Sequence, residues 1–197
     1  MVGPSQGTML NVAVAPQLKE AGLNLALLAY NSPYSYADVI GTAHRTVLRL
    51  LSMTRGVRGG PAMRFALETL GYTIDNPPGS RSVKAAIAHA LGKMRDPTLP
   101  SNAQCFGRAR FLVTGNLDPF MAQIEDVPIA YMGSANPDDD RVVNNDTAYT
   151  SFQANHREYI PRITDDRVGH ANPDVNTNAH REMAARALRA LDFRLAA

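Results

Sequence analysis

The tripeptide His-Arg-Glu occurs twice in this chain of 197 residues, at His156–Glu158 and at His180–Glu182. Imidazole and carboxylate groups can ligate a metal ion or transfer protons. A metal site built on one helix favours ligands three or four residues apart, whereas the His and Glu of each tripeptide are two apart and point about 200° away from each other. The spacing therefore favours two histidines packed in helices, with a metal or acid–base site shared by His156 and His180 as the alternative.

A second candidate site is the glycine-rich stretch Arg55–Pro61, which reads RGVRGGP. Glycines let backbone amides converge on an oxyanion, and the N-terminus of a following helix adds positive potential. Arg55, Arg58 and Arg64 would add charge-assisted hydrogen bonds. The stretch predicts phosphate binding, and a flexible turn between helices is the alternative.

Charge is divided unequally along the chain. Residues 1–115 hold 12 Lys and Arg against 5 Asp and Glu, whereas residues 116–197 hold 8 against 13. The basic half favours a polyanionic partner, and the opposite charges favour head-to-tail contact between identical subunits. The alternative is a solvated surface on each helix. Together with the three loop arginines, the residues predicted to bind a nucleic-acid backbone are Arg81, Lys84, Arg95, Arg108 and Arg110.

The acidic half contains the run Asn136–Asp140, whose last three residues are Asp138, Asp139 and Asp140. Clustered carboxylates suit calcium, but the run lacks the later Gly and Glu of an EF-hand loop. We predict that the three aspartates form a contact between subunits, with an ordinary polar loop as the alternative. The sequence indicates neither a bound metal nor a cofactor.

Nucleophilic catalysis has little support in these patterns. Cys105, the single cysteine, falls on the apolar stripe of a predicted helix, and the serines lie mostly at predicted helix starts. No nucleophile turn of the Gly-x-Ser-x-Gly type is assigned, so no catalytic residue is predicted and the chain is not expected to be an enzyme.

The periodicity of apolar residues is helical through most of the chain, so the sequence predicts an all-α fold of six or seven helices. Residues 161–177, rich in Asn and Asp, are expected to be irregular, ahead of a last helix. Residues 1–15 are predicted to be an extended arm, and residues 16–197 are predicted to form the helical core domain. The apolar Met9, Val12 and Val14 of this arm are predicted to dock on a neighbouring subunit.

Bulk composition narrows the setting. One cysteine excludes an internal disulfide framework and fits a reducing compartment. No basic segment followed by an apolar run begins the sequence, and no apolar run reaches the roughly 18 residues of a membrane span. Neither a secretory signal nor a membrane partner is therefore expected.

Two short motifs lie in the C-terminal region, EYIPR from Glu158 to Arg162 and RALDF from Arg189 to Phe193. Each resembles a motif of the coat proteins of flexuous filamentous plant viruses. The resemblance implies a helical subunit with an arginine-lined RNA groove. It also implies that Asp192 forms a structural ion pair with an upstream arginine.

The sequence therefore predicts a viral coat or nucleocapsid protein that assembles in many copies and packages single-stranded RNA, in the virion and the host cytoplasm. Two other classes remain open. One is a helical assembly subunit of the phage head–tail type, which binds no RNA. The other is a small α-helical enzyme that uses His156 and His180.

Overall fold

The computed structural model divides the chain into two compact units, residues 1–45 with 114–197 and residues 46–113. The structure describes residues 1–40, 45–46, 49, 61, 64–65, 68–69, 72, 82–96, 107, 110–135, 140, 142–168 and 177–192.

A parallel sheet forms the centre of the first unit. Its strands are β1 (Val2–Pro4), β2 (Leu27–Tyr30), β3 (Ile129–Ser134) and β4 (Arg162–Asp165). They lie in sequence order, and every neighbouring pair is parallel. Strands β2 and β3 are buried at every residue, as expected for a parallel sheet covered on both faces.

Helices follow the strands. The first unit contains α1 (Gln6–Glu20), a short 3-10 helix (Tyr36–Asp38), α3 (Asp118–Met121), α4 (Asn145–Ala154) and α5 (Thr177–Ala190), and the second unit contains α2 (Val83–Arg95). Local chemistry fixes where α4 begins, because the Asn144 side chain accepts hydrogen bonds from the backbone N–H groups of Asp146 and Thr147.

Helices α1 and α4 cover one face of the sheet. Gly3, Ala29 and Tyr131 are neighbours across the strands and so point to the same face. A Cβ atom at Gly3 would lie 2.5 Å from the backbone nitrogen of Thr8 in α1. The Tyr131 ring contacts the Phe152 ring of α4, with centroids 5.8 Å apart. Both helices therefore lie on this face.

Helix α5 covers the opposite face. Leu28 and Tyr30 of β2, with Ala130 and Met132 of β3, form a buried cluster with Val168 and with three residues of the helix, Ala179, Met183 and Ala187. These helical residues recur at intervals of four, so one apolar stripe of α5 meets the sheet. Burial of such a stripe supplies the main stabilisation of the layer.

The predicted all-α fold with an extended arm is therefore wrong. Leu27–Tyr30 and Ile129–Ser134 are short continuous apolar runs, which periodicity cannot distinguish from pieces of buried helix. The supposed arm contains β1 and most of α1. Met9 is 0% exposed and Val12 is 1% exposed, so these side chains pack within their own chain and are not available to a neighbour. Val14 is 42% exposed.

Within the described part of the chain, none of the helices combines the length and the hydropathy needed to cross a bilayer.

Changing Gly3 to Ala should destabilise the protein by about 1–3 kcal/mol, because the added methyl group would overlap the backbone of α1. The matched control is Gly92→Ala in α2, where an added Cβ meets nothing within 4 Å and helix propensity favours alanine by about 0.5–1 kcal/mol. Urea denaturation of both variants measures the difference. Equal stability of Gly3→Ala and the unmodified protein would contradict the close approach of β1 and α1.

Candidate active site

The carboxyl ends of the four strands meet at one edge of the sheet. Backbone hydrogen bonds continue the strand pairing past the strand ends, from Ser5 N–H to the Tyr30 carbonyl at 2.7 Å and from Asn31 N–H to the Met132 carbonyl at 2.8 Å. Ala135 N–H likewise donates to the Asp165 carbonyl at 3.1 Å. In parallel sheets ligands bind beyond this edge, so the residues that follow each strand are the candidates for chemistry.

Ser5, directly after β1, has a strained backbone with φ 48° and ψ −128°. Of the described residues other than glycine, only Ser5, Asn31 and Asp192 have positive φ, and the first two lie at this edge. Ser5 is flanked as Gly3-Pro4-Ser5-Gln6-Gly7, which is the Gly-x-Ser-x-Gly pattern of a nucleophile turned sharply between a strand and a helix. Strain of this kind persists where function requires a fixed side-chain position.

The N-terminus of α1 follows Ser5 immediately. This helix has 15 residues, so its first turn presents a partial positive charge to any anion that forms beside Ser5. In a strand–nucleophile–helix turn, the N–H of the residue after the nucleophile stabilises an oxyanion. That residue is Gln6.

Asp140 lies beyond β3 and is 0% exposed. Its Oδ1 accepts hydrogen bonds from the backbone N–H groups of Val142 at 3.0 Å and Val143 at 2.9 Å. Its Oδ2 accepts from the Asn145 amide at 2.9 Å. Donors directed at both oxygens favour an ionised carboxylate. Burial, and after it the Asp140 charge, raises the pKa of Tyr131 above its usual range.

The chain that follows β2 supports the segment around Asp140. Ile40 N–H donates to the Val142 carbonyl at 2.9 Å, and Asn144 N–H donates to the Asp38 carbonyl at 2.8 Å. The Asp38 carboxylate in turn accepts from the backbone N–H groups of Tyr34 and Ser35. Two loops at the same edge therefore brace each other.

An ion-pair cluster joins the end of β4 to α5. Arg167 donates to both oxygens of the Asp165 carboxylate, at 2.8 and 2.7 Å, and to Glu182 at 2.6 Å. Hydrogen bonding from Arg167 lowers the pKa of Asp165 to about 2. This cluster therefore links the end of β4 to α5.

The two histidines of the repeated tripeptide do not form one site. The ring nitrogens of His156 lie 3.1 Å from the Glu158 and Val127 carbonyl oxygens, and Val127 precedes β3, at the edge opposite Ser5. His180 packs edge-on against Tyr30, with centroids 4.9 Å apart, on the α5 face beside an apolar cavity of about 250 Å³. Within the described residues, no cluster of three His, Cys, Asp or Glu side chains could hold a metal ion.

The residues predicted to bind RNA or to mediate assembly are only partly described. Arg64 forms an ion pair with Glu68 one helical turn later, and Lys84, Arg95 and Arg110 are exposed. Asp192 is exposed, just after α5. Of the predicted acidic contact only Asp140 is described, and it is buried rather than on a subunit surface. The predicted residues outside the described part are Arg55, Arg58, Arg81, Arg108, Asp138 and Asp139.

The prediction of no catalytic residue does not take Ser5 into account, although the Gly-x-Ser-x-Gly pattern around it is present in the sequence. The pentapeptide Gly3 to Gly7 matches the nucleophile pattern. It is not recognised because residues 1–15 are predicted to form an extended arm without a strand or a helix. Recognition of the pattern depends on a strand before the serine and a helix after it. Strand β1 has only three residues, too few to show an alternating pattern.

Comparison with solved structures identifies the fold. A candidate aryl esterase from Burkholderia cenocepacia superposes on 98% of this chain with a TM-score of 0.60 at 16% sequence identity. An N-formylmaleamic acid deformylase from Pseudomonas putida S16 covers 93% at 13% identity with a TM-score of 0.48. A proline iminopeptidase from Mycobacterium smegmatis covers 97% at 15% identity with a TM-score of 0.46.

This chain spans 64% of the length of each of these three chains. No protein-family model matches the sequence, and no curated protein is significantly similar to it. The fold is therefore that of the α/β hydrolases, shown by the similarity to the esterase structure.

The prediction of a viral coat protein is wrong, because a parallel sheet of the α/β-hydrolase type replaces the all-α subunit that the coat-protein resemblance implied. The predicted RNA partner and many-copy assembly depended on that resemblance and are withdrawn. The expectation that the chain is not an enzyme rested on the all-α fold and is contradicted with it, because the observed fold is shared with the esterase structure.

The Asp165–Arg167 pair should stabilise the protein above the pKa of an unfolded aspartate, about 3.9, and this stabilisation should disappear as the pH falls towards 2. Arg167→Gln should therefore lower the unfolding free energy at pH 5 but have little effect near pH 2. Arg157→Gln, at an exposed position, is the control. Denaturant titrations across this range provide the measurement, and a pH-independent difference would contradict the pairing.

Proposed function

We propose that this chain is a serine hydrolase that cleaves carboxylic esters or related acyl compounds, with Ser5 as its nucleophile. The observation that carries the proposal is the strained backbone of Ser5 within Gly-x-Ser-x-Gly, between a parallel strand and the N-terminus of a long helix. A buried, hydrogen-bonded carboxylate, Asp140, follows the next strand but one.

His170 is the proposed general base. In nucleophiles of this kind the partners follow in the chain order Ser, Asp or Glu, His, and His170 and His180 are the two histidines after β4. His170 lies outside the described residues. The support for this assignment is its place in the chain, which is between the Asp165–Arg167 cluster and α5. His180 is less suitable, because its ring packs on Tyr30 at the α5 face.

The proposed reaction proceeds by acyl transfer. The base accepts the Ser5 hydroxyl proton as Oγ bonds to the substrate carbonyl carbon, and the carbonyl oxygen becomes an oxyanion near the Gln6 N–H. The bond to the leaving group then breaks, and the leaving group takes the proton from the imidazolium. In the second half of the reaction, the base accepts a proton from water as the water oxygen bonds to the acyl carbon, and the bond to Ser5 Oγ breaks. Ser5 takes back the proton, and the carboxylic acid is released. Asp140 remains ionised and orients the base.

The ester preference follows the candidate aryl esterase, whose structure matches this chain with a TM-score of 0.60. A small aryl ester such as p-nitrophenyl acetate is therefore the first substrate to test.

Ser5→Ala should lower kcat/KM for p-nitrophenyl acetate by at least about 10³-fold, because the acyl-enzyme cannot form. A fluorophosphonate probe should label the unmodified protein, and peptide mass spectrometry should place the label on Ser5. Ser151→Ala in α4 is the control and should retain both activity and labelling. An unmodified protein that neither hydrolyses the ester nor reacts with the probe would refute the proposed function.

The histidines provide a matched comparison. His170→Gln should lower kcat about as strongly as Ser5→Ala, since the two groups act as a unit, whereas His180→Gln should leave most of the activity. Asp140→Asn should reduce kcat by about 10³- to 10⁴-fold through loss of base orientation. Steady-state kinetics on folded variants decides the assignment. Loss of activity in His180→Gln with retention in His170→Gln would transfer the role of base to His180.

A further inference from the structure

Asn145, the first residue of α4, lies between two buried polar groups and is 6% exposed. Its Nδ2 donates to Asp140 Oδ2 at 2.9 Å. Its Oδ1 accepts from the Tyr131 hydroxyl at 2.8 Å, which is shorter than the 3.1 Å from that hydroxyl to the Ser32 carbonyl. Chemistry fixes this orientation, because a carboxylate only accepts hydrogen bonds, so a flipped amide would turn its oxygen towards Asp140.

The sheet is shaped to receive this amide. Gly133 and Tyr131 are two residues apart in β3 and point to the same face. A Cβ atom at Gly133 would lie 3.0 Å from Asn31 Oδ1 and 3.4 Å from Asn145 Oδ1. The missing side chain therefore makes room for both asparagines. Tyr131 is 0% exposed, and its ring contacts the rings of Tyr149 and Phe152.

The bond from Asn145 differs in its effect from the other two described bonds to Asp140. The Val142 and Val143 N–H groups both reach Oδ1, so by themselves they anchor one oxygen and allow the carboxylate plane to turn about it. A donor on Oδ2 fixes the plane. The direction of that plane decides where the N–H of the base must lie, and small errors in such geometry are costly to the rate.

We infer that Asn145 is a positioning residue for the reaction: it is itself oriented by Tyr131, and it fixes the plane of the Asp140 carboxylate. This inference rests on the proposed role of Asp140 in the hydrolase. It assigns the Tyr131–Asn145–Asp140 chain a function in turnover rather than in folding alone.

The first test compares neighbouring asparagines of one helix. Asn145→Ala should lower kcat for p-nitrophenyl acetate by about 10- to 100-fold with KM unchanged. Asn144→Ala removes the N-cap of the same helix and should lower the melting temperature while retaining kcat. Tyr131→Phe should lower kcat less than Asn145→Ala, because the amide loses its orienting donor but keeps its bond to Asp140.

The second test uses Asn145→Asp, which preserves the side-chain shape and so guards against misfolding. The introduced carboxyl can donate to Asp140 only while protonated, and its closeness to that carboxylate raises its pKa. Activity relative to the unmodified protein should therefore fall as pH rises. Among the described residues, the other titratable and charged groups around Asp140 and Tyr131 include Tyr30, Asp38 and Arg162. These groups, like the proposed base His170, are the same in both proteins.

Equal kcat for Asn145→Ala and Asn144→Ala, or a pH-independent activity ratio for Asn145→Asp, would overturn the positioning role while leaving the hydrolase proposal intact. An inactive unmodified protein whose Ser5 takes no fluorophosphonate label would instead overturn the hydrolase proposal, and this inference with it.

Discussion

The hydrogen bond from Ser5 N–H to the Tyr30 carbonyl, at 2.7 Å, holds the strained turn on which the rest of the edge depends. A serine with φ 48° has a backbone conformation outside the favoured regions, and contacts with the surrounding structure must stabilise that conformation. This bond ties the turn to β2, and the missing side chain at Gly3 lets α1 begin immediately after it. Thr8 strengthens the same turn by donating to the Gly3 carbonyl.

Buried polar groups impose the second constraint on this edge. Asn31, Asp140 and Asn145 are buried, and each would destabilise the fold if it were not hydrogen-bonded. Their bonds connect residues far apart in sequence, as between Asn31 Oδ1 and the Ser134 N–H at 3.1 Å. A network of this kind fixes the relative position of the strand ends more narrowly than apolar packing alone would.

The coat-protein resemblance shows how short motifs mislead. In EYIPR, Tyr159 is 73% exposed and Arg162 begins strand β4. The Ile160 N–H donates to the Gln153 side chain, and the Ile160 carbonyl accepts from the Tyr149 hydroxyl. Both side chains belong to α4. The other motif, RALDF, starts at the end of α5. The described residues of the two motifs therefore lie at a strand start and at a helix end of an α/β fold, not in an all-α subunit.

Local sequence determined several elements of this protein. The helical period and polar caps of α2, the Asp118-Pro119 start of α3 and the apolar stripe of α5 are short-range features, so they could be predicted from neighbouring residues. The Gly-x-Ser-x-Gly pentapeptide around Ser5 is also visible in the sequence, although no nucleophile is assigned there.

Tertiary structure decided the rest. Strands β1 to β4 have three to six residues each, and β2 and β3 are buried on both faces, so nothing in their local pattern distinguishes them from helix. The hydrogen bonds of Asp140 could not be predicted from an acidic run. They exist only because the fold places Asp140 next to Asn145, which in turn bonds to Tyr131 of β3. Parallel pairing between segments about 25 to 100 residues apart creates that meeting, since it brings the carboxyl ends of all four strands to one edge.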